Sequence, residues 1–211
     1  LGEVYSYNNA GFYLAGRIVE VVTGNAFETV ARELVLEPIG MERAYMAPLD
    51  VMTHRFASGH TAGDDGPKVA RRWDLPRAAW PAGGVACSID DLLQYGRFAL
   101  GDGTTEDGER ILTPRSMALT RTPQIAVRER ASCGIAWHIR KVEGVTLVEH
   151  SGGTNGQYAF LSVAPQRGFV LASQVNSPAA IGKVHDFALE TFLGISSPKP
   201  QAIEPTPDEL A

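Results

Sequence analysis

Beyond residue 134 the spacing of apolar residues changes period, and that change constrains the fold of this 211-residue chain more than any other feature. Segments 135–140, 145–149, 157–164 and 169–175 read as four consecutive strands, punctuated by Glu143-Gly144 and Gln166-Arg167-Gly168. A last helix is predicted over 179–193, stopped at Gly194. Ahead of the change, apolar residues recur at helical spacing. Asn9 opens a helix carrying Leu14, Ile18, Val21 and Val22 and closed by Gly24. A second helix is predicted over 26–35, with Phe27, Val30, Ala31 and Leu34 on one face, ended by Pro38-Ile39-Gly40-Met41. Ser88-Ile89-Asp90-Asp91 has the form of a capping box for a helix through Leu92, Tyr95, Phe98 and Leu100, and Thr113-Pro114 starts another.

Helices followed by a strand meander and a closing helix predict an α+β architecture, with a helical layer, an antiparallel sheet and a cleft between them. On this reading 1–128 form the helical layer with its cleft loops, and 129–195 form the strands and closing helix of the same interrupted domain. Residues 196–211, with Pro198, Pro200, Pro205 and Pro207, are expected to be an extended or disordered tail. Residues 50–81, rich in glycine and proline, read as long surface loops of the kind that line a cleft.

Composition removes several function classes. A net charge of −5 without a basic stripe argues against a nucleic-acid partner. No apolar run approaches the ~20 residues of a membrane span. Cys87 and Cys133 stand far apart without CxxC spacing, and His54 and His60 lack an HExxH frame. No metal or other cofactor is therefore expected, and the thiols read as free. The expected partner is a small molecule or a peptide substrate. Compartment stays open.

Two short motifs carry possible chemistry. Acyl transfer by a serine enzyme needs an activated hydroxyl, a base, an oxyanion hole and groups that hold the substrate. Tyr7 and Asn9 bracket Asn8 just before the first helix, so both can point into one cleft. A phenol, with an ordinary pKa of ~10, becomes a useful base only beside cations. The bland alternative makes Asn9 a helix cap. His150-Ser151-Gly152-Gly153 lies between two predicted strands. There Gly152 gives backbone access, the Gly153 N–H can face an oxyanion, Ser151 can bond a substrate, and His150 can be neutral or charged. The bland alternative is a glycine-rich hairpin turn beside a satisfied histidine. A rearranged triad using His60 or His150 also stays open.

Taken together, the blocks resemble the serine hydrolases related to class C β-lactamases, penicillin-binding proteins and their esterase cousins. Tyr7-Asn8-Asn9 with its helix is similar to that family's Tyr-Ser-Asn element, and Glu37-Pro38-Ile39-Gly40-Met41 to its Pro-Leu-Gly-Met turn. Pro81-Ala82-Gly83-Gly84-Val85, Gly134-Ile135-Ala136-Trp137, His150-Ser151-Gly152-Gly153 and Asn176-Ser177 follow in the family's order. The resemblance implies a β-lactamase/transpeptidase-like fold and an acyl-serine mechanism. In it Tyr7 shuttles protons, Asn9 positions substrate, Gly153 donates to the oxyanion and His150 belongs to the catalytic set, while Ser151 and Gly152 bind substrate.

Two departures stand out. The family's Ser-x-x-Lys nucleophile motif occurs only as Ser196-Ser197-Pro198-Lys199, in the proline-rich tail, where chance explains it. The expectation is a C-terminal portion of a longer hydrolase, inactive by itself, with its nucleophile and some strands upstream and a bare sheet edge prone to association. Histidine also replaces lysine in the third motif, which removes a permanent anchor for a β-lactam carboxylate. D-amino-acid peptides and carboxylic esters are then at least equal candidates as substrates. The rival reading is a non-catalytic binding module that keeps the cleft.

Overall fold

The computed structural model describes residues 3–128, 131–177 and 181–196. A six-stranded antiparallel meander occupies the C-terminal half: β1 (Ile125–Arg128), β2 (Ala131–Cys133), β3 (His138–Val142), β4 (Val145–Thr154), β5 (Gln157–Ala164) and β6 (Phe169–Val175), lying side by side in that order. The α-helices of five or more residues are α1 (Ala10–Thr23), α2 (Phe27–Ala31), α3 (Ile89–Leu100), α4 (Pro114–Thr120) and α5 (Ile181–Leu193). Residues 179–180 of the predicted last helix, and all but Ser196 of the predicted tail, lie outside the described residues.

The sheet is covered on both faces. Trp137, Ile139, Val148, Leu161 and Val163 pack with Leu92, Tyr95 and Ala99 on the α3 side. Val142, Val145, Leu147 and Ala164 pack with Leu189 and Leu193 of α5 on the other. Double coverage explains why Leu147-Val148 is an apolar run: neighbouring side chains point to opposite faces, and both faces are dry. Each such Leu or Val contributes roughly 1.5–3 kcal/mol on burial. The α3 start is as predicted. Ser88 Oγ accepts the Asp91 amide at 3.1 Å, and Asp91 Oδ2 accepts the Ser88 amide in return.

Several element boundaries differ from the sequence reading. The sheet has six strands instead of four, because β1 and β2 are only four and three residues long and show no resolvable period. Strand β3 begins at His138 instead of 135, since Gly134 N–H donates to Trp137 O at 2.7 Å and Ala136 takes a left-handed φ of 61°. Strand β4 runs on through Thr154, so His150-Ser151-Gly152-Gly153 is strand, not a turn. The turn is Asn155-Gly156, where φ values of 48° and 78° suit asparagine and glycine.

The second helix changes pitch midway. After α2 the chain widens into a π-turn over Arg32–Leu36, with Glu37 N–H donating to Arg32 O. One extra residue per turn rotates the face, so Leu34 is 59% exposed and Leu36 is buried. In α1 the stripe Leu14, Ile18, Val21 and Val22 is exposed, and the buried contact is Gly16. A Cβ there would stand 2.2 Å from Pro81 Cγ, so glycine lets the 80–83 turn sit against the helix. Arg77 adds a clamp, donating to Glu20 at 2.6 Å and Glu28 at 2.9 Å.

The 50–81 stretch, expected as loops throughout, holds a short antiparallel hairpin pairing His60–Thr61 with Lys68–Val69 and a 3-10 turn at Arg77–Ala79, each too short to show a period, and it is stitched to the sheet at several points. Gln157 Nε2 donates to Ala57 O at 2.8 Å, Asn176 Nδ2 to Ser58 O at 3.0 Å, and Asn155 Nδ2 to Asp74 O at 3.0 Å.

Candidate active site

Strand register creates the site. Pairing of β3 with β4 ends at His138 opposite Glu149, whereas pairing of β4 with β5 continues through His150–Leu161, Ser151–Phe160, Gly152–Ala159, Gly153–Tyr158 and Thr154–Gln157. From His150 onward, β4 therefore has a strand partner on one side only among the described residues. Its other edge offers N–H and C=O groups to a ligand, as an edge strand does. No side chain at Gly152 and Gly153 shields that edge. A Cβ at Gly153 would meet the Tyr158 ring at 2.6 Å, whereas one at Gly152 would have nothing within 4 Å.

The segment before α1 crosses beside this edge. Tyr7 lies with its ring 6.4 Å from that of His150 and 6.4 Å from that of His138, and it is 56% exposed. The two imidazoles stack at 5.3 Å, and Tyr5 meets His138 edge-on at 6.3 Å. Tyr7 and His150, 143 positions apart in the sequence, thus share one cluster. Burial lowers the His150 pKa from its usual value, the neighbouring His138 lowers it further, and a hydrogen bond with the Ser151 backbone opposes both. The imidazole is accordingly neutral at neutral pH.

Asn9 stands at the N-terminal boundary of α1 but makes no side-chain capping bond. The Asn8 Oδ1 takes that role, accepting the Ala10 amide at 2.7 Å. The helix-cap alternative for Asn9 therefore falls to its neighbour. Ser151 is exposed on the bare stretch of β4.

Other candidates have structural work. His60 anchors its loop, with its backbone N–H donating to Asn176 O at 2.8 Å and its ring Nδ1 3.1 Å from the same oxygen. His54 stacks on Tyr45 at 5.0 Å. A serine–histidine pair exists at Ser162 and His185, whose Oγ and Nε2 lie 3.0 Å apart, but these residues are 0% and 2% exposed between the sheet and α5. No substrate reaches them. Cys87 and Cys133 are free, and burial pushes the Cys87 thiol up to about 11. Among the described residues, no group of three His, Cys, Asp or Glu side chains is arranged to hold a metal ion, and no helix is long and apolar enough to cross a membrane.

His138 is the residue that sequence reasoning missed. It follows Trp137 with no spacing signal of its own and joins the cluster only because antiparallel register sets it opposite Glu149, next to His150.

Comparison with known proteins gives a consistent picture. Residues 1–189 match the family model described as Beta-lactamase. Penicillin-binding protein 4 of Amycolatopsis lactamdurans is 32% identical over 221 residues, aligning 99% of this chain with 58% of that protein. A D-aminopeptidase of Gluconobacter oxydans (strain 621H) is 28% identical over 169 residues, covering 79% of this chain and 30% of the relative. Among solved structures, the octameric penicillin-binding protein homologue from Pyrococcus abyssi superposes with a TM-score of 0.79 at 26% identity, over 92% of this chain and 43% of that one. The chain spans little more than half of the first relative and less than half of the other two.

Proposed function

The chain belongs to the beta-lactamase family, and from that premise we propose that it supplies the proton-transfer and oxyanion side of an acyl-serine hydrolase acting on an amide or ester. Its named relatives include a penicillin-binding protein and a D-aminopeptidase. The observation that carries the reading is the meeting of Tyr7 with His150 beside the edge of β4 that has no strand partner among the described residues. In the proposed site a substrate backbone lies along that edge. The Gly153 N–H donates to the developing oxyanion, Ser151 and Gly152 receive the substrate, Asn9 orients its carbonyl and Tyr7 moves the proton. His150, neutral at neutral pH, accepts or donates a hydrogen bond beside Tyr7.

The nucleophile is proposed to come from outside these 211 residues, because their one Ser-x-x-Lys, Ser196-Ser197-Pro198-Lys199, is flanked by prolines that disfavour the helix turn needed to face lysine toward serine. The chain by itself is then inactive. A neutral histidine in place of lysine favours D-amino-acid peptides, amides or carboxylic esters over β-lactams. The outer edge of β6, unpaired among the described residues, is the proposed surface for association.

A fluorophosphonate or penicillin probe, read by intact mass, tests this. The expected result is a serine adduct on a protein that joins this chain to a Ser-x-x-Lys segment, and none on the 211 residues alone. A stable adduct on this chain mapped to Ser151 or Ser196 overturns the account of the nucleophile. Ligand binding without any adduct on the joined protein favours the binding-module reading instead.

A further inference from the structure

We propose that the outer edge of β6 pairs antiparallel with β6 of a second copy of this chain, joining two six-stranded sheets across a two-fold axis at Ala172. The proposal names the occupant of the edge already proposed for association and rests on that reading.

The two ends of the sheet are finished differently. At one end β1 is four residues long, shifts register between Ala126 and Arg128, and ends on a charged side chain. A short, irregular and charged strand is a poor template for a further strand. At the other end β6 runs seven residues in unbroken register with β5, and Phe169-Val170-Leu171-Ala172-Ser173-Gln174-Val175 holds neither a charge nor a proline. Among the described residues, no backbone N–H or C=O of this stretch bonds to anything but β5.

Packing makes the same point. Val170 and Ala172 pack on the α3 side of the sheet, Phe169 and Leu171 on the α5 side. A Cβ at Gly96 of α3 would stand 2.3 Å from Val170 Cγ1, so that helix lies directly on the strand. Apolar residues covered on both faces are the mark of a strand inside a sheet, yet the topology puts β6 at its end.

Beside this edge α5 presents an apolar flank. Phe192, 68% exposed, holds its ring 6.4 Å from that of Phe169 at the start of β6. Val184 and Phe187, also exposed, share its side of the helix, while Lys183, Asp186 and Glu190 fall on the other. A strand added to β6 brings new cover alongside these rings.

The strand is suited to pair with itself. Antiparallel pairing about Ala172 places its smallest side chain on the axis, with Leu171 opposite Ser173, Val170 opposite Gln174 and Phe169 opposite Val175 of the second copy. Each pair shares one face and sets no like charges together. The two-fold axis keeps both α5 helices on the same side of the joined sheet, so their apolar flanks meet. Phe187 and Phe192 of both copies bring about 400–700 Å² of aromatic surface, at ~150–250 Å² for each side chain and 68% exposure, before the strand edges are counted. That is a large part of the ~1,000 Å² a specific interface clears. The contact also closes on itself, since both ends of the joined sheet are then β1.

The test uses the full 211-residue chain in sedimentation, disulfide trapping and backbone hydrogen exchange. The parent is expected to be a dimer that dissociates on dilution, and Phe187→Glu, at an exposed position, to weaken it by roughly tenfold or more. With Cys87→Ser and Cys133→Ser in place, Ala172→Cys is expected to form a covalent dimer on mild oxidation, because paired residues stand ~4.5–5.5 Å apart at Cα. Gln174→Cys is expected not to, since its two copies stand ~13 Å apart in this register. The 169–175 amides that do not bond to β5 are expected to gain protection only at concentrations where the dimer forms.

A chain that is monomeric at every concentration overturns both the proposal and the association reading. A dimer that ignores Phe187→Glu, or that is trapped at Gln174→Cys and not at Ala172→Cys, overturns the β6 pairing alone. Protection of those amides in the dilute monomer also overturns it, because another part of the same chain then covers the edge. Should the cysteine variants fail to fold, sedimentation and exchange on the parent still decide. None of these readouts involves an acyl-enzyme, so they stand apart from the hydrolase reading.

Discussion

Asn8 and the Ala10 amide form the hydrogen bond that starts α1, at 2.7 Å, and this leaves the adjacent Asn9 side chain without a capping role. In the proposed site, two consecutive asparagines then divide structure and function between them. A single cap could not do both, since an Oδ1 held by the helix backbone is less free to meet a substrate.

Asn8→Ala is expected to lower stability by about 1 kcal/mol, the usual worth of a helix-start side-chain bond. Asn9→Ala is expected to change stability by less than about 0.5 kcal/mol, as for an exposed residue without such a bond. In a nucleophile-bearing protein Asn9→Ala would instead slow hydrolysis by roughly 10²-fold through loss of substrate orientation. Urea unfolding and steady-state kinetics on both variants separate the roles. The opposite pattern would return Asn9 to the helix.

The two glycines of β4 are expected to differ. Gly153→Ala drives a Cβ to 2.6 Å from the Tyr158 ring and should cost about 1 kcal/mol, with a further loss of turnover if the 153 amide faces the oxyanion. Gly152→Ala meets open space and should be tolerated within about 0.5 kcal/mol. Thermal melts of the pair provide the check.

Ser162 joins two buried partners, donating to Glu149 Oε2 at 2.9 Å and lying 3.0 Å from His185 Nε2. With its one proton given to Glu149, Ser162 accepts from His185, which places the imidazole proton on Nε2. Ser162→Ala leaves both neighbours short of a partner and is expected to destabilise by about 2 kcal/mol. Urea unfolding should give a lower midpoint with an unchanged m value.

His185 is buried against Phe160 at a ring distance of 3.7 Å, and its Nδ1 has no hydrogen-bond partner among the described residues. Burial lowers its pKa from the usual value, outweighing the opposing pull of Glu149. The unfolded chain takes up the proton near the ordinary value of ~6.5, while the folded chain resists until lower pH. Stability is therefore full above about pH 6.5 and falls as pH drops from there toward the lowered pKa. His150, also lowered, contributes in the same sense. His185→Gln should reduce the slope of stability against pH in this window without abolishing it, and an unchanged slope would contradict the assignment.

Much of the helical layer and the order of the motifs were legible in the sequence, for local reasons. The Ser88–Asp91 capping box works over three residues, and the α1 stop at Gly24 needs only a left-handed backbone at φ 71°. Features that depend on a partner were harder to read. The 26–35 helix was expected with uniform pitch, and the π-turn that exposes Leu34 and buries Leu36 became visible only in three dimensions. Strands β1 and β2 were too short to show a period, and the length of β4 was hidden because glycines carry no hydropathy pattern.

The sequence by itself determined the family, the α+β layering and the presence of Tyr7, Asn9 and the His150–Gly153 motif, because each is written in contiguous residues. Tertiary structure alone decided what these residues face. Register set His138 against Glu149 and ended β3 there, which left the β4 edge without a second strand partner among the described residues and brought a second imidazole onto His150. Pairing across strands is a relation between distant segments, and residue spacing along a single strand does not encode it.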